Sequence, residues 1–246
     1  MIEWREEGIV LSVRRHGETD AIVEGLFPRH GRHLGLVRGG AGRRIGPLIQ
    51  PGSEIAATWR ARIEDHLGGF AVEPVRSRAG LLGDALGLAG LSSVCAILSF
   101  ALPEREPQPE VHAASLALLQ LIDGDTGNWP IAYLRWELGL LERLGFGLDL
   151  SRCAVTGARE GLAFVSPRTG RAVSRAAAGE WAPRLLTLPA SLAGGGAEGE
   201  DVVAGLRLTG HFLETRLAPT LGERPLPVAR DRLVARLATH PEWGGR

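Results

Sequence analysis

EIAATWRARIE, residues 54–64, alternates strictly: Ile55, Ala57, Trp59, Ala61 and Ile63 share one face, and Ala56, Thr58, Arg60 and Arg62 the other. Side chains change sides at each step of a strand, so the stretch is read as half-buried, with an apolar inner face and a basic outer one. Outward from it, the same period of two occupies 8–15, 21–27, 34–38 and 70–75. Turn signals separate the runs: HGETD at 16–20, PRHGR at 28–32, a glycine-rich loop after Arg38, and HLGG at 66–69. Five short antiparallel strands in the first 80 or so residues predict a small closed barrel, and the five-stranded OB fold is the leading candidate.

Beyond Gly80 the period changes. In VHAASLALLQLID, residues 111–123, Val111, Ala114, Leu118 and Ile122 fall on one helical face. Asn128 and Pro130 mark a helix start and Gly145 its end, around a segment apolar nearly all round, IAYLRWELGLLERL. A further amphipathic helix is expected over 201–217, with Val203, Leu206, Gly210, Leu213 and Leu217 as its stripe, and a last one after Pro227. The fold class is therefore α+β. An OB-fold domain spans 1–79 and an all-helical domain 80–246, the latter interrupted by a small insert at 151–188 with a hairpin in LAFVSPRTGRAVS. A flexible loop, SLAGGGAEGE, follows the insert.

Composition removes several function classes. All 28 basic residues are arginine, so a P-loop, a Schiff-base lysine and a kinase-type lysine are excluded. Gly40 and Gly42 open a dinucleotide-like spacing, but position 45 is Ile45 and the next glycine, Gly46, comes one residue late. The net charge is zero, so attraction for nucleic acid must come from local clustering. Such clustering exists: Arg29, Arg32, Arg38, Arg43, Arg44, Arg60 and Arg62 face one acid, Glu54.

Two cysteines, Cys95 and Cys153, are too few for a disulfide framework and suit a reducing compartment. No secretory signal opens the chain. The apolar stretch 81–102 contains Asp84 and three serines, which favours buried helix over membrane span. His30 and His33 lack a carboxylate or cysteine neighbour in sequence and are read as solvated or phosphate-facing imidazoles. Cys95 is read as a small core residue. No nucleophile elbow or catalytic carboxylate pair is visible, so no enzyme is expected. Cys153 lies where a four-cysteine ribbon would begin, with further ligands due at Thr156, Ser174 and Ala177. Only Cys153 offers a thiolate. The insert is expected to be a degenerate, zinc-ribbon-like element with no metal.

In order along the chain, GIVLSVRRHGETDAIVE, HGRHLGLVRGG, LIQPGSEI, LRWELGLLERLGFGLDLSRC and LRLTGHFLETRL resemble the bacterial recombination mediator family RecO. The resemblance covers nearly the whole chain and implies an N-terminal OB barrel and a helical C-terminal domain, often with cysteine-ligated zinc. It further implies a DNA repair and recombination mediator that binds single- and double-stranded DNA and anneals complementary strands. With RecR it would help load RecA onto DNA coated by single-strand-binding protein, in the cytoplasm and associated with the nucleoid. Under this reading Arg38, Arg43, Arg44, Arg60 and Arg62 charge the DNA groove, with Arg14, Arg15 and Arg32 nearby. Gly39 and Gly40 would let the loop backbone approach a phosphate. The acidic C-terminal tail of single-strand-binding protein would meet Arg135, the charge that interrupts IAYLRWELGLL. The competing classes are an OB-fold protein-interaction adaptor that binds no DNA, and an enzyme using Cys153 or a histidine.

Overall fold

The structure, a computed structural model, describes residues 1–63, 65–124, 127–193 and 199–243. Packing separates two units, Met1–Thr126 with Pro227–Arg230 and Gly127–Leu226 with Asp231–Arg246. In the first, β1 (Ile2–His16), β2 (Asp20–Phe27), β3 (Gly31–Val37), β4 (Glu54–Ala61) and β5 (Gly69–Arg76) close an OB barrel in the order β1-β2-β3-β5-β4. β1 is longer than its alternation announced because it serves two neighbours. Its first half pairs with β4 and its second half with β2, with a register shift between Val10 and Ser12 where it turns from one to the other.

The inward set of β4 is as the alternation requires: Ile55, Ala57, Trp59 and Ala61 are buried with Val10, Val23, Phe27, Val37 and Phe70. Ile63 is not. The strand ends at Ala61, so Ile63 has no pleat to hold it inward and is 56% exposed. Trp59 satisfies its one donor by giving its indole N–H to the Leu67 carbonyl at 3.1 Å. The seam between β3 and β5 is a single parallel bridge, Leu36 to Gly69. It closes because Gly35 lacks a side chain: a Cβ there would lie 2.4 Å from the Phe70 ring.

Two helices complete this unit, α1 (Ala85–Ala101) and α2 (Pro109–Asp123). Asp84, the charge that argued against a membrane span, is the N-cap of α1, its carboxylate accepting from Leu86 N–H at 3.0 Å. Among the described residues no helix is long and apolar enough to cross a membrane. Cys95 is a core residue of α1, and burial pushes its thiol up to about 12. α2 buries Val111, Leu118, Leu119 and Ile122, with Ala114 half-buried. The change of period at Gly80 thus marks a change of secondary structure inside one packed unit. Buried Arg78 ties the parts: its guanidinium donates to Glu54 at 2.7 Å, to the Gly52 carbonyl, and to the Leu119 carbonyl of α2 at 3.4 Å.

The second unit contains α3 (Trp129–Arg143), β6 (Leu162–Val165), β7 (Ala172–Ser174), α4 (Arg175–Ala178), β8 (Leu186–Thr187), α5 (Gly199–Phe212) and α6 (Ala218–Thr220), with α7 (Val228–Thr239) beginning at the boundary. α3 starts after Asn128 with Pro130 in its first turn and stops before Gly145, as the capping residues indicate. Its one buried acid, Glu137, accepts from Tyr133 at 3.0 Å and from Thr209 of α5 at 2.6 Å. The helix expected over 201–217 ends as a π-turn at Leu213–Leu217. Of the glycine-rich stretch at 191–200, residues 194–198 lie outside the described part.

His33 corrects the reading of the histidines. It points into the barrel, is buried, and meets Trp59 and Trp4 edge-on at 4.7 and 5.2 Å. Neither ring nitrogen has a hydrogen-bond partner. His30 stacks on Trp4 at 4.1 Å and bonds Glu6 at 2.8 Å, so it does not face open solvent either. Burial, with the Arg105 charge adding to it and the His30 backbone opposing, holds His33 down to about 4 from its ordinary 6.5. Between those values the unfolded chain binds a proton that the folded barrel refuses. Stability should therefore fall as pH drops from 6.5 toward 4, by roughly 3 kcal/mol in all. Denaturant midpoints measured across that window should decline steeply in the natural protein and less so in His33→Phe; identical acid sensitivity would contradict the assignment.

Candidate nucleic-acid interface

The β1–β2 turn and the end of β3 lie together, since Ala41 N–H donates to the Thr19 carbonyl at 2.9 Å. Their pairing gathers Arg14 and Arg15 from β1, Arg38 from the end of β3, and Arg43 and Arg44 from the following loop at one end of the barrel. All five are exposed and form no ion pair among the described residues. Next to them a groove of about 720 Å³ opens over the β3–β5 seam, lined by Arg38, Ile45, Thr58, Arg60, Gly69 and Val72 among others. The seam produces the groove: a single bridge leaves the two strands splayed on either side of it. Arg62 follows β4 and is also exposed.

The remaining predicted residues do other things. Arg32 stands toward the other end of β3 and is mostly buried, donating to Glu24 and, at 2.8 Å, to the Leu102 carbonyl. Its guanidinium is consumed inside the unit, so it is no groove residue. Arg60 lines the groove but carries a two-bond ion pair with Glu3 at 2.8 and 3.0 Å. Gly39 and Gly40 do not form a phosphate cradle. Gly39 N–H already serves an anion, the Asp20 carboxylate at 2.8 Å, and Gly40 N–H serves the Val37 carbonyl at 3.1 Å. These glycines are required by geometry, Gly39 by a φ of 66° and Gly40 because a Cβ would meet Ala21 at 2.9 Å. The Gly39 amide holds Asp20 below the usual carboxylate range. The loop is a tight, internally bonded turn.

Arg43 has a second setting. It rims a hollow of about 630 Å³ lined by Pro47, Pro51, Leu82, Leu88 and Leu91. Arg135 is exposed on α3 and has no hydrogen bond or ion pair among the described residues; the acid two residues on, Glu137, is turned into the core.

The insert shows how one cysteine organises a fold without its expected companions. β6 and β7 form the hairpin, and β8, which the sequence did not disclose, adds a third strand in the order β7-β6-β8. Cys153 is buried with Val173 and Ala178 and accepts Ser174 N–H at 3.3 Å. Burial would raise its thiol, but hydrogen bonds from Ser174 and Thr156 hold it down to about 6. The positions where a ribbon would place ligands therefore do converge on Cys153, Thr156 and Ser174 as hydrogen-bonding neighbours and Ala177 packed against the same small core. One thiolate, two hydroxyls and a methyl do not fit a closed zinc site. No group of three metal-ligating side chains occurs among the described residues.

A closed five-stranded OB barrel, followed by helices and a small second sheet, defines an α+β class of protein with an arginine-rich barrel end. The family model Recombination protein O N terminal matches residues 1–78, and Recombination protein O C terminal matches 82–225. The chain belongs to the RecO family of DNA repair proteins. It is 60% identical over 239 residues to the DNA repair protein RecO of Cereibacter sphaeroides (strain ATCC 17029 / ATH 2.4.9), covering 97% of this chain and 99% of that one. It is 57% identical to the protein of that name from Ruegeria sp. (strain TM1040), covering 96% and 99%, and 55% identical to that from Jannaschia sp. (strain CCS1), covering 99% and 100%.

The two kinds of arginine should separate by stability. Arg32→Ala takes from the buried Glu24 carboxylate its cation, leaving only the Ser12 and Ser99 hydroxyls, and should cost about 3 kcal/mol, whereas Arg38→Ala removes an exposed charge with no ion pair among the described residues and should stay within about 0.5 kcal/mol. Thermal or denaturant unfolding of the two variants checks this, and equal stability would return Arg32 to the pool of surface cations.

Proposed function

We propose that the protein is a non-enzymatic, metal-free recombination mediator whose barrel holds DNA by its phosphates. The observation that carries the reading is the groove over the β3–β5 seam, with Arg38 free at its rim, Arg60 in its lining, and Arg14, Arg15, Arg43 and Arg44 at the same barrel end. Phe70 and Trp59, the aromatics behind the groove, are turned into the core and offer no stacking platform. A strand held by its backbone keeps its base edges available for pairing, which suits annealing of complementary strands better than long-lived protection. In this reading the protein binds single- and double-stranded DNA and anneals strands. With RecR it helps load RecA onto DNA coated by single-strand-binding protein. The acidic, apolar-ended tail of that protein meets Arg135, whose unpaired guanidinium is suited to a carboxylate.

If about 4 to 6 phosphates are neutralised, single-strand affinity should fall with a log–log salt slope of roughly −3 to −4. Replacing Arg38, Arg43 and Arg44 together by Ala should make the slope shallower by about 2 and slow annealing of complementary oligonucleotides. A slope near zero in the natural protein would leave the barrel as a protein-interaction adaptor.

A further inference from the structure

The barrel groove supplies charge but no exposed aromatic; the insert supplies both. Between residues 151 and 188 the chain carries six arginines against two acids, Glu160 and Glu180. All six are exposed. Arg171 pairs with Asp149 at 3.5 Å, and Arg152, Arg159, Arg168, Arg175 and Arg184 make no ion pair with a carboxylate among the described residues. In the same segment Trp181 is 56% exposed, an unusual position for an indole that has no core to fill. Arg184, three residues on in a 3₁₀ turn and so on the same side, lies over the Trp181 ring at 5.2 Å from its centre. Arg175 lies likewise over Phe164 at 5.9 Å.

The register of the small sheet draws part of this set together. Leu186 of β8 pairs with Val165 of β6, which runs the preceding Arg184 toward the hairpin turn that carries Arg168. Arg216 adds a cation there, donating to the Arg168 carbonyl at 2.8 Å. The strands are packed from beneath by Cys153, Val173 and Leu185.

We infer that the insert is a second single-stranded DNA contact, in which Trp181 and the guanidinium plane of Arg184 stack on an unpaired base while Arg168 and Arg175 hold flanking phosphates. An acidic peptide would use the charge but leave the indole face idle, and a bilayer would ask for more apolar surface than one tryptophan. Two separate strand contacts, one on each unit, match a reaction that must hold two strands. The inference rests on the DNA-binding reading given above, and the test keeps the two apart.

Full-length protein is titrated against a labelled oligothymidylate and against a blunt duplex. Trp181→Ala should weaken single-strand binding about five- to tenfold, the lower end of what loss of one base stack costs, and leave the duplex nearly unaffected, because paired bases present no free face. Trp181→Phe should recover most of the loss, and Arg168→Ala with Arg175→Ala should make the single-strand salt slope shallower by about 1.4. As a measurement without any substitution, an oligonucleotide containing 5-iododeoxyuridine should photocrosslink to Trp181. Unchanged binding in the insert variants with no crosslink there, alongside loss in the Arg38/Arg43/Arg44 variant, would overturn the insert contact and leave the barrel reading standing. Unchanged binding in both sets would overturn both. Equal weakening on duplex and single strand would reject stacking, as would an acidic peptide that displaces nothing from the barrel but competes at Trp181.

Discussion

The seam between β3 and β5 is where the barrel is most economically made and where its closure is decided. One bridge, Leu36 to Gly69, joins the strands, so closure rests on what lies behind it, Phe70 and Trp59, and on the missing side chain of Gly35 that lets Phe70 fill the gap. A ladder held by packing more than by hydrogen bonds leaves backbone splayed at its outer face, and the groove with Arg38 and Arg60 is that splay. The same aromatic filling has a cost in acid. It encloses His33 with both nitrogens unpartnered, a neutral imidazole that the fold tolerates only while it stays unprotonated.

Arginine does two incompatible jobs in a chain without lysine. Arg78 and Arg32 are internal ties, spending their donors on carbonyls and on Glu54 and Glu24, and they link barrel strands to the segments that flank α1 and α2. Their planar five-donor heads suit that work. Arg14, Arg15, Arg38, Arg43 and Arg44 remain outside and form no ion pair among the described residues. Counting the basic residues of a segment does not separate the two groups; only the surroundings of each head do. The backbone of the glycine loop shows the same division, because its amides are spent on Asp20 and Val37 and the charge it offers to a phosphate is carried by side chains.

Alternation in EIAATWRARIE made the barrel legible, since period two over an apolar face leaves one arrangement of inside and outside. The same rule failed at Ile63, because periodicity does not say where pairing stops. Helical spacing and capping residues beyond Gly80 placed the helical part, and turn residues placed the hairpin of the insert. What stayed hidden depends on long-range partners: Arg32 needed Glu24 and Leu102, His33 needed Trp4 and Trp59, and β8, two residues long, exists only as an edge on β6. Trp181 carries a signal readable in the sequence, an aromatic among arginines in a segment too small to bury it. Thr156 and Ser174 were correctly placed near Cys153, and only the structure shows that they serve it as hydrogen-bond donors.

The central claim is that DNA lies across the β3–β5 seam. Amides there are poorly protected by the one-bridge ladder, so bound DNA should slow their hydrogen exchange. Exchange followed by mass spectrometry with and without oligothymidylate should show new protection over residues 34–46 and 68–72, and little over the α1 core at 91–98, which is already buried. Protection confined to α1 and α2, or none over the seam at saturating DNA, would contradict the account.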